Sequence, residues 1–336
     1  MALDSETIVT IPVAPAAATF RKDKTVPSAP PSQIDAHFDL VSERIVAGKM
    51  IPFLGAGANL CGRPANADWL EDHFLPTGSE LAAHLAKPFP HLADDSRDLS
   101  RVSQYVDLFG GGEAVLFEKL RALFAADYEP NALHRLLAAI PDALRKRDAP
   151  SPCQFIITTN YDDALERAFR DAGEPIDVVY YAAARGKPGR FVHVQPDGKR
   201  VPVPKAYRGF SVGERTVLLK IHGAVDRNHE LGDSYVITED HYIDYVARTN
   251  VYNLIPAALM AKMSSSHFLF LGYGMRDWNL RVILHHIWSQ QTRTFASWAI
   301  QKEPDPVDEK FWDRHDVDIV DVSLDAWVEG MKARLL

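Results

Sequence analysis

Cysteine is scarce in this chain: only Cys61 and Cys153 occur among 336 residues. Two cysteines cannot build a disulfide framework, and no Cys-x-x-Cys pair is present, so a four-thiolate zinc site within the chain is excluded and no zinc is expected. Such usage fits a reducing, cytoplasmic compartment. Long hydrophobic runs are also missing. No apolar stretch reaches the roughly 18 residues of a membrane span. The opening MALDSETIVTIPVAPAAATF has an acidic start and no basic region ahead of an apolar one, so neither a signal peptide nor a membrane anchor is expected. Basic residues are in deficit as well, 37 Lys and Arg against 45 Asp and Glu for a formal net charge of −8. That balance argues against coating nucleic acid by bulk electrostatics, and no direct nucleic-acid binding is expected. No internal repeat is found.

Apolar residues make up 46% of the chain and charged residues 24%, enough to bury a sizeable core. Residues 1–32, rich in Ala, Pro, Ser and Thr, show no periodicity and read as a disordered or docking arm. A helical pattern follows in IDAHFDLVSERIVAGK, and MIPFLGAGANL then reads as a buried parallel strand with its turn. Residues 62–150 carry amphipathic helical spacing and no good strand, which predicts an inserted helical subdomain. From QFIITTN onward, apolar strands alternate with helices such as NLRVILHHIWSQQ, and VSLDAWVEGMKARLL reads as a closing helix. The expected fold is α/β, a Rossmann-like, largely parallel sheet with helices on both faces. The basic, turn-rich stretch 184–215 reads as a hairpin and loops, more simply solvated than nucleic-acid binding.

In such a sheet, ligands bind at the carboxyl ends of the strands. Four predicted strand ends carry distinctive residues: FLGAGAN, IITTNYDD, LLKIHGAVD and LFLGYGMRD. Each has a plain structural reading. Glycine turns serve φ, while Asn160, Asp162 and Asp277 cap helices well. A lone His222 beside an apolar run is most simply a packed histidine. Brought to one edge, they suggest a nucleotide site, with glycine turns admitting a pyrophosphate and Asn160 holding a ribose hydroxyl or a water.

The ordered set GAGAN, TTNYD, KIHG and GYGMRD resembles the sirtuin-like NAD-binding domain, and more narrowly the bacterial sirtuin-like NADases of anti-phage defence; SYVITEDHYIDY fits that subgroup. The resemblance covers roughly residues 45–300, within a domain taken as 33–336. It implies NAD as substrate. Gly55, Ala56 and Gly57 would lie at the pyrophosphate, with Asn59 beside them, and Gly272, Tyr273 and Gly274 near the adenosine half. Thr159 and Asn160 would meet the nicotinamide ribose, Asp162 the carboxamide, and His222 would be the catalytic histidine, exchanging a proton near its ordinary pKa of about 6.5. The implied activity is hydrolysis of the nicotinamide–ribose bond. Departures from the deacylating sirtuins are the missing zinc motif, Asn59 in place of a serine, and the lack of an Asp-Phe-Arg loop, to which Arg63 in CGRPANADW stands nearest. A deacylase and a catalytically silent nucleotide sensor remain the alternatives. The resemblance also implies a homo-oligomer, or control by a HerA-type hexameric ATPase or another sensor chain.

Overall fold

The computed structural model describes residues 33–92, 97–184, 187–210, 212–227, 232–245, 254–274, 281–282, 284 and 295–336. The arm predicted over 1–32, most of NLRVILHHIWSQQ and the proposed cap Asp277 lie outside the described residues. The centre of the fold is a nine-stranded sheet among those residues. Its strands are β1 (Met50–Leu54), β2 (Phe155–Thr158), β3 (Ile176–Ala184), β4 (Lys187–Val194), β5 (Arg200–Val203), β6 (Thr216–Lys220), β9 (His267–Leu271), β10 (Ser297–Gln301) and β11 (Val317–Asp321). A two-stranded ribbon, β7 (Gly223–Ala224) with β8 (Ser234–Tyr235), stands apart. The main sheet runs β11-β10-β9-β1-β2-β6-β3-β4-β5, and every pairing from β11 to β3 is parallel. The predicted α/β architecture is therefore present. β4 and β5 extend the β3 end as an antiparallel meander, which is the hairpin expected within 184–215.

The apolar runs that announced these strands are explained by their two buried faces. Successive strand side chains point to opposite sides. On one side Ile51, Phe53, Phe155, Ile157, Val217, Leu219, Phe268 and Phe270 form a core. On the other, Met50, Leu54, Ile156, Leu218, Leu269 and Leu271 form a second. Helix α1 (Gln33–Val46) brings Phe38, Val41 and Ile45 to this second core. Pro52 is unusual for an inner strand because it cannot donate to the ladder. The β1–β2 pairing begins one residue later, at Phe53.

The block read as a helical insertion divides between two layers. Its first helices are α2 (Gly78–Ala86), α3 (Leu99–Phe109) and α4 (Glu113–Phe124). They enclose an apolar cluster of their own, joined by Tyr161, Ala164, Tyr235 and Ile237 from the segments that follow β2 and β7. The last, α5 (Ala132–Lys146), instead packs on the second sheet core beside α6 (Ala164–Asp171). Polar clamps fasten the insert over the strand ends. Arg121 donates to the main chain of Asp226 at 2.7 Å and to Asp233 at 2.9 Å. Arg227 holds Asp163 and the Ala125 and Ala126 carbonyls together.

Candidate active site

β1 and β9 are neighbours, yet the chain leaves β1 for β2 on one side and β9 for β10 on the other. This reversal of strand order opens a crevice beyond the carboxyl ends, where open α/β sheets bind ligands. A cavity of about 700 Å3 occupies it, within the size range of cofactor sites. The turns after β9, β1, β2 and β6 all reach it. Every sequence-predicted residue lines it: Gly55, Ala56, Gly57 and Asn59 after β1; Thr159, Asn160 and Asp162 after β2; His222 after β6; and Gly272, Tyr273 and Gly274 after β9.

The glycines do more than make a turn. Gly272 has φ +63°, and a Cβ there would lie 1.9 Å from the Ala58 nitrogen. A Cβ on Gly57 would lie 2.5 Å from the Gly272 carbonyl oxygen, and one on Gly55 would lie 2.6 Å from the Tyr273 ring. The two turns therefore press backbone on backbone at the switch point. Around Gly274 a Cβ would meet nothing within 4 Å among the described residues. The turn after β1 continues as a five-residue 3-10 helix, Ala56–Leu60. Gly62, with φ +75°, and Pro64 follow too soon for regular helix to propagate.

Main-chain bonds lock the strand ends to one another. Thr159 N–H donates to the Leu54 carbonyl at 3.1 Å, and Ile221 N–H to that of Thr158 at 3.1 Å. Thr158 Oγ1 accepts from Asn160 N–H at 3.0 Å. Asp162, 6% exposed, accepts from Ala164 N–H at 3.1 Å. Lys220, 1% exposed, donates to the Asp162 carbonyl and, at 2.7 Å, to Glu166 Oε1.

Three buried polar atoms on residues lining this cavity have no hydrogen-bond partner among the described residues: Asn59 Oδ1, Asn160 Oδ1 and His222 Nε2. Asn59 donates its amide N–H to the Pro76 carbonyl at 2.9 Å, which fixes its oxygen as the free end. Orphaned buried polar atoms cost about 1–3 kcal/mol each, and such groups call for an explanation. A ligand that brings hydroxyl or amide hydrogens would satisfy them.

His222 is 3% exposed and packed edge-on against the rings of Tyr242 and Tyr245, at centroid distances of 5.4 and 5.8 Å. Burial pushes its pKa down to about 3. This corrects the expectation of exchange near pH 6.5. The imidazole stays neutral, because desolvation opposes its charged form. His134 on α5 is likewise buried and pushed down to about 4 by burial, with the nearby charge of Asp162 acting the other way.

The opposite wall was not read from the sequence. It comes from the insert: Pro76 to Ser79 with Leu81 at the start of α2, Arg97 to Ser100 at the start of α3, and Phe124 at the end of α4, with Tyr161 and Tyr242 completing the lining. The Thr77–Glu80 capping box was a legible helix start, but not its position. Arg63 does not line the cavity. Its guanidinium grips Glu80, at 3.1 Å through Nη1, and ties the loop after β1 to α2.

A family model described as the SIR2-like domain matches residues 154–320. Residues 154–320 are therefore SIR2-like. The match takes in the turns after β2, β6 and β9, while the β1 turn and the insert wall of the same cavity lie ahead of it. Among curated proteins, the chain is 27% identical over 232 residues to NAD(+) hydrolase ThsA of Acinetobacter baumannii (strain 532279), covering 69% of the chain and 38% of that protein. It is 27% identical over 250 residues to NAD(+) hydrolase ThsA of Enterococcus faecium, covering 73% and 41%. It is 23% identical over 198 residues to Defense-associated sirtuin 2 of Bacillus subtilis, covering 59% and 16%. The chain thus spans about two fifths of the length of the two hydrolases. Among the described residues no group of His, Cys, Asp or Glu is arranged to hold a metal ion, and no helix is long and apolar enough to cross a membrane.

Proposed function

We propose that the chain is an NAD glycohydrolase, cleaving the bond between nicotinamide and ribose C1′ to give nicotinamide and ADP-ribose. The observation that carries this reading is the trio of buried polar atoms without a partner among the described residues, Asn59 Oδ1, Asn160 Oδ1 and His222 Nε2, around one switch-point cavity. NAD presents ribose hydroxyls and a carboxamide, the donors these atoms lack. The names of the ThsA relatives support the same substrate.

The chemistry follows from a cationic leaving group. As the C1′–N1 bond breaks, its electron pair neutralises the nicotinamide and leaves positive charge on the ribose. The site lowers that barrier by holding the ribose, favouring the developing charge and excluding stray water. Neutral His222 accepts the hydrogen of a ribose hydroxyl or of the attacking water. Asn160 accepts from the other of these two donors, the ribose hydroxyl or the attacking water that His222 does not hold. Asp162 receives the carboxamide. Water adds to C1′ and releases one proton, so NAD and water become nicotinamide, ADP-ribose and a proton.

The biological setting in this reading is depletion of NAD in anti-phage defence, in keeping with the names of the relatives. Uncontrolled NAD hydrolysis kills the cell that makes the enzyme, so the reading includes control by self-assembly, by a HerA-type hexameric ATPase or by another sensor chain. Chromatography of products after incubation with NAD tests the activity. Equal amounts of nicotinamide and ADP-ribose are expected. O-acetyl-ADP-ribose formed only with an acetylated peptide would make the chain a deacylase, and bound but intact NAD would make it a sensor.

A further inference from the structure

Lys220 is the last residue of an inner strand whose five positions are all buried. A lysine is almost never fully buried unless paired, and holding an ammonium there is costly. An apolar side chain would continue the TVLL run without that cost. What the lysine adds is two bonds, both to the segment that follows β2: one to the Asp162 main-chain carbonyl and one, at 2.7 Å, to Glu166 in the first turn of α6. Its own strand leads two residues later to His222. One ammonium group therefore spans from the strand that delivers His222 to the turn that delivers Asn160 and Asp162.

From this geometry we infer that Lys220 is a positioning residue for the glycohydrolase site, setting the Asn160–Asp162 turn in register with His222. The inference rests on the proposed activity. Lys220 does not line the cavity and touches no substrate; it acts through the carbonyl of Asp162. Displacements of about 1 Å in such a constellation cost on the order of 100-fold in rate. Glu166, with its side chain 22% exposed, completes the charge balance and explains why the ammonium is tolerated.

The test compares wild type, the double variant Lys220→Met/Glu166→Leu, which leaves no unpaired charge behind, and Asp177→Asn. Asp177 is buried at the amino end of β3, away from the cavity, in a cluster with His193 and Arg215, so its loss destabilises the fold without touching the site. Three quantities are read: thermal midpoint, kcat/KM for NAD, and inhibition by nicotinamide. The expected result is a fall of tenfold to a hundredfold in kcat/KM and at least a tenfold weaker inhibition by nicotinamide for the double variant. Asp177→Asn is expected to keep both values while lowering the midpoint. A double variant with wild-type kcat/KM and wild-type nicotinamide inhibition would overturn the inference. So would losses in the two proteins that simply track the folded fraction. If wild type releases no nicotinamide, alone or with its controlling chain, the glycohydrolase reading fails by itself, and NAD affinity by calorimetry then decides the positioning role: a tenfold loss in the double variant supports it, and equal affinity overturns it.

Discussion

Acidification should weaken this fold through His222 in a way that a variant can isolate. The imidazole takes up protons in the unfolded chain near pH 6.5 but is held down to about 3 by burial in the folded one. Wherever the unfolded state binds more protons, stability rises with pH. The stabilisation is therefore present above pH 6.5 and is lost as pH falls from there toward 3. At about 1.4 kcal/mol per pH unit, the whole effect is about 5 kcal/mol, of which about 2 kcal/mol disappears between pH 7 and pH 5. The buried imidazoles of His37 and His134, both pushed down to about 4, act in the same direction, so the measurement must be a difference. Urea unfolding of wild type and His222→Leu at pH 7 and pH 5 supplies it. Wild type should lose about 2 kcal/mol more than the variant over that interval. Equal losses in both proteins would show that His222 titrates near its ordinary value, and with it the case for a neutral acceptor would fall.

The same burial sets the pH dependence of turnover. The acid limb of kcat/KM reports groups of the free enzyme, and it should contain no step near pH 6.5 from His222; such a step in wild type would contradict the neutral-imidazole account. Gly272→Ala forces a Cβ to 1.9 Å from the Ala58 nitrogen at a positive φ. It should cost about 2–5 kcal/mol in denaturant unfolding and raise KM for NAD, since only a shift of the β1 turn relieves the clash. Thr77→Ala removes an N-cap whose partner is Glu80 N–H, and should cost about 1 kcal/mol in the same assay. Asp177→Asn weakens a cluster in which the fully buried Asp177 meets the buried His193 at 2.9 Å and the partly exposed Arg215 at 3.0 Å. A loss of about 3–5 kcal/mol is expected there, with KM for NAD unchanged.

Much of the site was legible because its residues sit where chain order and sheet order meet. An apolar run ending in Gly-Ala-Gly, Thr-Asn or His-Gly marks a strand end, and parallel strands in one sheet present their ends to one edge. Gly55, Asn160, His222 and Tyr273 could thus be gathered without knowing the strand order. The opposite wall could not. Periodicity shows that 78–86 and 99–109 are helices, but not that their first turns face the strand ends, since that is set by long-range clamps such as Arg121 to Asp233. The helix over 132–146 was grouped with the insert because its apolar stripe looks the same whether it packs on helices or on a sheet. The pKa of His222 was misjudged for a similar reason. Tyr242 and Tyr245 were visible in SYVITEDHYIDY, but their packing around the imidazole belongs to the tertiary structure. Lys220 passed as one letter of an apolar run until its burial was seen.

The measurement that bears most directly on the account is nicotinamide release by wild type, His222→Ala and Asn160→Ala, each beside calorimetric binding of NAD. The account predicts equimolar nicotinamide and ADP-ribose from wild type, and a fall of about 100-fold or more in both variants with NAD still bound. Undiminished release from either variant, or from both, would contradict it.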